Sequence, residues 1–460
     1  FSNVLFIPGL EASRLYRPSP IGSGEVQLWE PSNNTDVEGL YLNTDGTSVN
    51  PNIYTRDIIK ETNVPLPTGP AGQNIYKSFS KMMDDLVSDD TIVAWQSFPY
   101  DWRQSVQDIV DNGTEMENGK QYLTDVVKNL ANISRNGKVT IIAHSNGGLI
   151  AKALLKKLQD DKTAGRNNLI DKVDVLILVA VPEIGTAVAV PAMLHGFDTE
   201  ILKGWIMDEE HARELGRNMP GAYGLLPSRT YVEHVSASPV TFVDNFIPSN
   251  VTTSLFQSYG SALSSYGEYK DFLFGSEGRG NPASYQTNLP IKITPSLFTQ
   301  AESLHNTIDA WIPPASLRVI EVAGWGLDTV ASFEYYPRLV GCSGQGVGCI
   351  SYELDERPRF TSDGDKTVVV PSAHYMSFLG NAEKYWVDLE RHNGQIFGGF
   401  RHNREHKDIL EVNSLNNLIS SIVKDEPIIL DSVLKNARPV DTKNRVRLSI
   451  HSPVTLDAYD

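Results

Sequence analysis

The segment Lys138-Val139-Thr140-Ile141-Ile142-Ala143-His144-Ser145-Asn146-Gly147-Gly148-Leu149-Ile150-Ala151 decides the fold. Its first six residues form an apolar, β-branched run that reads as a buried strand, and its last five open a helix with small residues. Between them His144-Ser145-Asn146 must turn sharply. So tight a turn strains the central residue and crowds strand against helix, which demands small residues two positions to either side; Ala143 and Gly147 fill those places. The geometry predicts Ser145 as a nucleophile raised to the top of a sheet. It aims the Asn146 N–H at a developing oxyanion, with the helix dipole adding to the effect. A serine that merely begins a helix is the plain alternative, and the flanking strand and helix weigh against it.

Upstream, the strand-like Val4 to Ile7 runs into Pro8-Gly9-Leu10-Glu11. There Gly9 lets the backbone approach the turn, and Leu10 is the expected second N–H donor to the oxyanion. Taken alone, Pro-Gly would read as a turn closing a strand; paired with the elbow it reads as an oxyanion loop. Further apolar runs at Thr91 to Trp95, Val173 to Val181 and Leu317 to Ala323 are continuous, as in parallel strands. They alternate with helix-patterned Ile75 to Leu86, Lys120 to Leu130, Leu149 to Leu158 and Ile409 to Val423. The rhythm predicts an α/β-hydrolase fold: a mostly parallel central sheet with helices on both faces and an inserted cap. It divides the chain into a first core part, 1–182, with a lid-like excursion at about 21–67, then a cap at 183–316, a second core part at 317–445, and 446–460 as the start of a further β domain.

In this fold the acid and then the histidine follow the serine along the chain. Asp328, in AGWGLDTV, and Asp365, in SDGDKTVVVPSA, are nearly even on spacing; the β-branched run Thr367 to Val370 suggests a strand edge that would anchor Asp365 better than Asp363. Among the late histidines, His374, His392, His402, His406 and His451, only His406 opens an apolar-periodic helix, in EHKDILEVNSLNNLI, with His402 as the fallback. His406 would take the proton of Ser145 and Asp365 would hold the imidazole in the required tautomer. No metal or cofactor is expected at such a site.

Composition bounds the partners. Across 460 residues, 40 basic against 56 acidic side chains give a net charge of −16, which repels phosphate backbones and anionic membrane surfaces. Nucleic acid is therefore excluded as a partner. The longest apolar stretch, Val173 to Pro182, is far shorter than the roughly 20 residues of a membrane span. The opening Phe1-Ser2-Asn3 and the strand-like RVRLSIHSPVTLDAYD at the other end read as those of a processed or excised part of a larger protein. Cys342 and Cys349, in GCSGQGVGC, suit a small local disulfide or two free thiols about equally. An oxidised pair, with sequons at Asn33, Asn112, Asn132 and Asn250, would place the chain at the cell surface or outside the cell.

Five motifs in order, FIPGLEAS (Phe6 to Ser13), FPYDWR (Phe98 to Arg103), AHSNGG (Ala143 to Gly148), GDKTVVVPSA (Gly364 to Ala373) and EHKDIL (Glu405 to Leu410), resemble the lecithin:cholesterol acyltransferase family, which includes lysosomal phospholipase A2-like enzymes and bacterial members. The resemblance implies Ser145 as nucleophile, Asp365 rather than Asp328 as acid, His406 as base, and Leu10 and Asn146 as oxyanion donors. It likens AVPEIGT, Ala180 to Thr186, to a post-strand segment of lipases in which Glu183 stands where a histidine is usual, and places MPGAYGLLPS, Met219 to Ser228, in the cap. Asp101 and Arg103 would pair and Trp102 would pack, a structural role. The family's animal members carry a disulfide-bonded lid near the N-terminus, and no cysteine precedes Cys342; docking on a membrane or lipoprotein through such a lid is not carried over.

The expected activity is serine-dependent hydrolysis or acyl transfer on a lipid ester, with transient lipid-surface contact through the cap or lid. Leu225, Leu226, Phe272 and Phe274 are candidates for an acyl groove, or for cap core. Rival readings are a short-chain or cell-envelope esterase, and a non-catalytic module of a larger surface protein.

Overall fold

Strands that are apolar and buried at the centre build a seven-stranded central sheet in the computed structural model, which describes residues 1–63, 73–197, 207–243, 251–341, 350–397, 400–401 and 403–441. The strands are β1 (Asn3–Ile7), β2 (Trp95–Ser97), β3 (Val139–His144), β4 (Val173–Val179), β5 (Arg318–Trp325), β6 (Glu383–Asp388) and β7 (Leu434–Lys435). Their spatial order is β7-β6-β5-β4-β3-β1-β2, and every pair is parallel except β6 with β7. The chain goes from β1 outward to β2, then returns past β1 to β3 and builds the sheet the other way. The reversal between β1 and β3 opens a crevice at their carboxyl ends. Ile7 pairs with Ala143 in register, so Pro8 to Glu11 and His144 to Asn146 leave the sheet level with each other.

Helices cover both faces. Among them are α1 (Lys77–Ser88), α2 (Leu123–Ile133), α3 (Asn146–Thr163), α4 (Pro295–Ile308) and α5 (Asn413–Val423). α2 and α3 pack on β1 and β3, while α5 packs on α1. The sequence periodicity locates all but α4, with ends displaced by a few residues. The helix expected from Ile409 is split: a 3₁₀ segment His406–Glu411 precedes α5, because Asp408 adopts a non-helical φ of −124°.

Three readings are corrected. The stretch from Ile21 to Pro67 is not simply irregular: Glu25–Trp29 and Tyr54–Ile58 join Ser13–Pro18, Thr114–Met116 and Gly119–Gln121 in a five-stranded sheet. Its strands are too short, and too interrupted by turn residues, for alternation to stand out. Thr367 to Val370 makes no strand; the run leads into a short helix, Val370–Ala373, with only a single bridge between Gly364 and Val369. A long hairpin, Thr329–Gly341 with Ile350–Thr361, stands where the sequence suggested none. Its charged residues hide it, since Glu334 sits cross-strand from Arg357 and Arg359 and ion-pairs with both.

Residues 183–316 are mainly helical where described, and the one strand there, Val240–Phe242, pairs with Phe333–Tyr335 of the hairpin. Cys342, Cys349, Asn250, His402 and 446–460 lie outside the described residues. Among the described residues no helix is long and apolar enough to cross a membrane.

Beneath α3 the core holds charge. Lys152 and Glu183 are both fully buried and meet at 2.9 Å, so the glutamate in AVPEIGT is a structural anchor. Glu321 on β5 accepts the N–H groups of Met376 and Ser377, each at 2.9 Å. Burial, and then the neighbouring Glu183, push its carboxyl well above the usual range. Because removing one member of a buried pair strands the other, Lys152→Met should cost about 3–5 kcal/mol of unfolding free energy. Urea denaturation measures this, and the double replacement of Lys152 and Glu183 by apolar residues should recover most of it.

Candidate active site

Ser145 sits at φ 53°, ψ −130°, a conformation side chains resist, and its N–H donates to the Val179 carbonyl at 3.0 Å. The fit explains the glycine that follows two positions later: a Cβ on residue 147 would stand 2.4 Å from the carbonyl oxygens of both Ile7 and Pro8. Residue 148 is equally constrained, with a Cβ 2.2 Å from the Val181 side chain.

The structure brings three of the expected residues into one line. His406 Nε2 lies 2.8 Å from Ser145 Oγ, and its Nδ1 lies 2.8 Å from Asp365 Oδ2. All three are buried. The other oxygen of Asp365 accepts the N–H groups of Thr367 at 3.0 Å and Val368 at 2.8 Å, and its carbonyl accepts the His406 N–H at 3.0 Å. Asp365 thus holds the imidazole residue by side chain and backbone together. A hydroxyl bonded to an imidazole whose far nitrogen rests on a carboxylate can surrender its proton on attacking a carbonyl.

Asp328 is exposed, on the connection between β5 and the hairpin. That connection is nonetheless the rail on which the acid loop rides: Leu327 N–H donates to the Gly364 carbonyl at 3.1 Å, and Lys366 N–H to Thr329 Oγ1 at 2.9 Å. Only Gly fits at 364, since a Cβ there would meet Thr329 Oγ1 at 2.5 Å. Asp363 pairs with Arg438 at 2.8 Å, and His374 is buried on the Tyr385 carbonyl and Trp386, so neither joins the line.

Two phenols to which the sequence reading gave no role, Tyr76 and Tyr100 of FPYDWR, brace the loop after β1. Tyr76 Oη accepts the Gly9 N–H at 3.1 Å and lies 2.7 Å from His144 Nδ1. His144 Nε2 lies 3.0 Å from the His406 carbonyl, which can only accept, so Nε2 carries the proton and Nδ1 receives that of Tyr76. Burial, and then the nearby His406, hold the His144 imidazole well below its usual pKa and therefore neutral. An unbroken chain thus runs from Gly9 through Tyr76 and His144 to the backbone of His406. Tyr100 does similar work, donating to the Pro8 carbonyl and accepting from Asn146 Nδ2, both at 3.1 Å. Burial raises both phenol pKa values, so both keep their protons. Gly9 N–H is committed to Tyr76, while neither the Leu10 nor the Asn146 N–H has a backbone acceptor among the described residues.

The FPYDWR segment is built as expected for a structural part. Arg103 grips Asp101 through two bonds of 2.9 and 2.6 Å, and the Trp102 indole donates to the Ser13 carbonyl at 3.1 Å. It also seats MPGAYGLLPS, since Gly221 N–H donates to the Arg103 carbonyl at 3.0 Å. That segment contributes Met219, Ala222 and Leu225 to an apolar cavity of ≈ 90 Å³ that reaches Leu10 and Glu11. Of the four groove candidates only Leu225 lines it. Leu226 and Phe272 are fully packed, and Phe274 lies edge-on to Phe298.

The sequence profile of the family described as "Lecithin:cholesterol acyltransferase" matches residues 66–413. Among solved structures, a chain of the Tle4–Tli4 complex is similar over 92% of this chain and 98% of its own, with a TM-score of 0.51 and 12% identity, a likeness of fold. No curated protein sequence matches significantly.

Tyr76→Phe deletes one oxygen and leaves both Gly9 N–H and His144 Nδ1 without a partner. Each orphaned buried group should cost about 1–3 kcal/mol of stability. Turnover of an activated ester should fall with KM little changed, because the oxyanion loop and His406 lose their link. Denaturation and steady-state kinetics check this; unaltered stability would mean the phenol is no such link.

Proposed function

The chain belongs to the lecithin:cholesterol acyltransferase family, and from that premise we propose a serine-dependent acyl-ester hydrolase or O-acyltransferase acting on lipid esters. The observation that carries the reading is the hydrogen-bonded line from Ser145 through His406 to Asp365. Ser145 Oγ attacks the ester carbonyl as its proton passes to His406 Nε2, and the carbonyl oxygen, now negative, takes hydrogen bonds from the N–H groups of Leu10 and Asn146. One such donor is worth about 3 kcal/mol of barrier.

The tetrahedral intermediate collapses, the C–O bond to the leaving alcohol breaks, and His406 returns the proton to that alcohol. Water or a second alcohol then repeats the steps in reverse on the acyl-enzyme. Asp365 remains ionised throughout, orienting the imidazole and balancing the imidazolium. The apolar cavity beside Leu10 supports an acyl chain on the carbonyl side of the bond.

A fluorophosphonate probe should label the wild-type chain and not Ser145→Ala; a folded wild type that resists labelling rules the reading out. His406→Ala and Asp365→Ala should each lower turnover by about 10³-fold or more with the circular dichroism unchanged, while Asp328→Ala should stay near wild type. A loss at Asp328 equal to that at Asp365 would reassign the acid. Mixed phospholipids and neutral lipids, incubated with and without an acceptor alcohol and read by mass spectrometry, distinguish hydrolysis from transfer.

A further inference from the structure

The cavity beside the oxyanion loop contains a residue that its walls do not explain. Leu10, Met193, Met207, Leu215, Met219 and Leu225 line it, yet Glu11 lines it too, alone among its described residues in being ionisable. Glu11 sits at φ 57°, a left-handed conformation unfavourable to any residue but glycine, and the Trp29 indole fixes its carbonyl there with a 2.7 Å hydrogen bond. The strained backbone thus holds a carboxyl-bearing residue at an apolar cavity, one position from a proposed oxyanion donor.

The charged groups on the surrounding elements are engaged elsewhere. On Ala189–His195, the His195 ring meets the Thr287 carbonyl and Tyr335 Oη, each at 2.7 Å. On Glu209–Arg217, Glu209 accepts from Thr287 Oγ1, His211 meets Asp208, Arg213 donates to the carbonyls of Gln286 and Leu289, Glu214 faces Arg217, and Glu210 lies near Tyr41. Nearer in sequence, Arg14 is held by Glu30 and Asp57. Among the described residues the Glu11 carboxyl has no ion-pair or hydrogen-bond partner, and burial pushes it up to about 7.

An alkyl chain entering the cavity expels the water that solvates a carboxylate. An unpaired buried carboxylate is far costlier than the neutral acid, so chain and charge compete for this space. We infer that the cavity accepts the acyl chain of the substrate only when Glu11 is protonated, which makes Glu11 a determinant of acyl-chain selectivity that responds to pH. The inference rests on Ser145 as the acyl-accepting group. Its sign follows from the neutral form being the binding one: selectivity for longer chains is full below about pH 7 and is lost as pH rises through it.

The test compares kcat/KM for hexanoate and acetate esters of one alcohol. The acetyl group reaches Ser145 without filling the cavity, so the titration of the reacting groups cancels in the ratio. The hexanoate-to-acetate ratio should fall about tenfold between about pH 6 and about pH 8 in the wild type and stay level in Glu11→Gln. A second readout needs no turnover: calorimetry of 1-hexanol binding to Ser145→Ala, in buffers of different ionisation enthalpy, should show uptake approaching one proton per hexanol at about pH 8, absent when Glu11→Gln is added. A ratio indifferent to pH, or one that keeps its slope in Glu11→Gln, overturns the inference. So does failure of hexanol to bind, or binding without Glu11-dependent proton uptake. If neither ester is hydrolysed while hexanol still takes up its proton, the role of Ser145 fails and the cavity assignment stands.

Discussion

The site depends on one close approach. The first turn of α3 is wedged against the carboxyl end of β1 so tightly that a single methyl at residue 147 would collide with two carbonyl oxygens, each 2.4 Å away. Because the helix must begin there, Ser145 has no room to relax and takes up φ 53°. Strain of this kind costs on the order of 1–3 kcal/mol. Leu149, Ile150, Leu154 and Leu155, all fully buried on α3, each supply about 1.5–3 kcal/mol by leaving water. The strain is therefore easily sustained, and the turn cannot escape by unwinding the helix. The same wedge puts the β1 loop beside Ser145, so the serine and the N–H groups proposed as oxyanion donors are fixed by one packing event.

A second layer of order comes from polar groups whose protonation is set by their neighbours. His144 and His305 are both buried, yet their pKa values move in opposite directions. Nothing anionic faces His144, and burial keeps it neutral between a phenol and a carbonyl. Burial lowers the His305 pKa too, but Asp309 at 2.7 Å and the Gly224 carbonyl at 2.9 Å together raise it above its ordinary value. A neutral His144 matters for the site because only that state can accept from Tyr76 while donating to His406. An imidazolium would turn both nitrogens into donors and sever the link to Gly9.

How much of this the sequence reveals follows from the range of the interactions. The strand-turn-helix around Ser145 is local, and Ala143, Gly147 and the apolar runs announce it. Of the parallel strands, β1, β3, β4 and β5 read correctly because burial makes them largely continuous. By contrast, β2 begins only at Trp95, the last residue of the run expected from Thr91, and β6, half exposed and charged at its start, gave no such run. Asp365 and Asp328 could not be separated by spacing, since they lie on adjacent loops bridged at Leu327 and Asp365, and what distinguishes them is burial. Tyr76 carried no signal, and Tyr100, though it lies within FPYDWR, none that marked its hydroxyl as a link. Their partners lie 67 and 46 or more positions away, and a tyrosine at a helix start or in a loop looks alike whether it packs or bridges. The hairpin after β5 was concealed because its strands carry cross-strand ion pairs in place of alternating apolar residues.

The Ser145–His406–Asp365 line and the apolar cavity are built by different parts of the chain. Ser145, Asp365 and His406 sit on connections held by backbone hydrogen bonds, and Gly147 and Gly364 beside the first two admit no side chain. Most of the cavity wall comes from Ala189 to Leu225, where Met, Ala and Leu side chains could change without disturbing the elbow. On the proposed reading, chemistry is bound to the rigid frame and selectivity to the replaceable one. Glu11 belongs to both. Its backbone continues the loop that presents Leu10, while its residue lines the cavity of the other part, so under the inferred role its charge acts on the space for substrate rather than through the proposed oxyanion donors. A carboxyl at that junction can modulate what binds while leaving the reaction frame as it is.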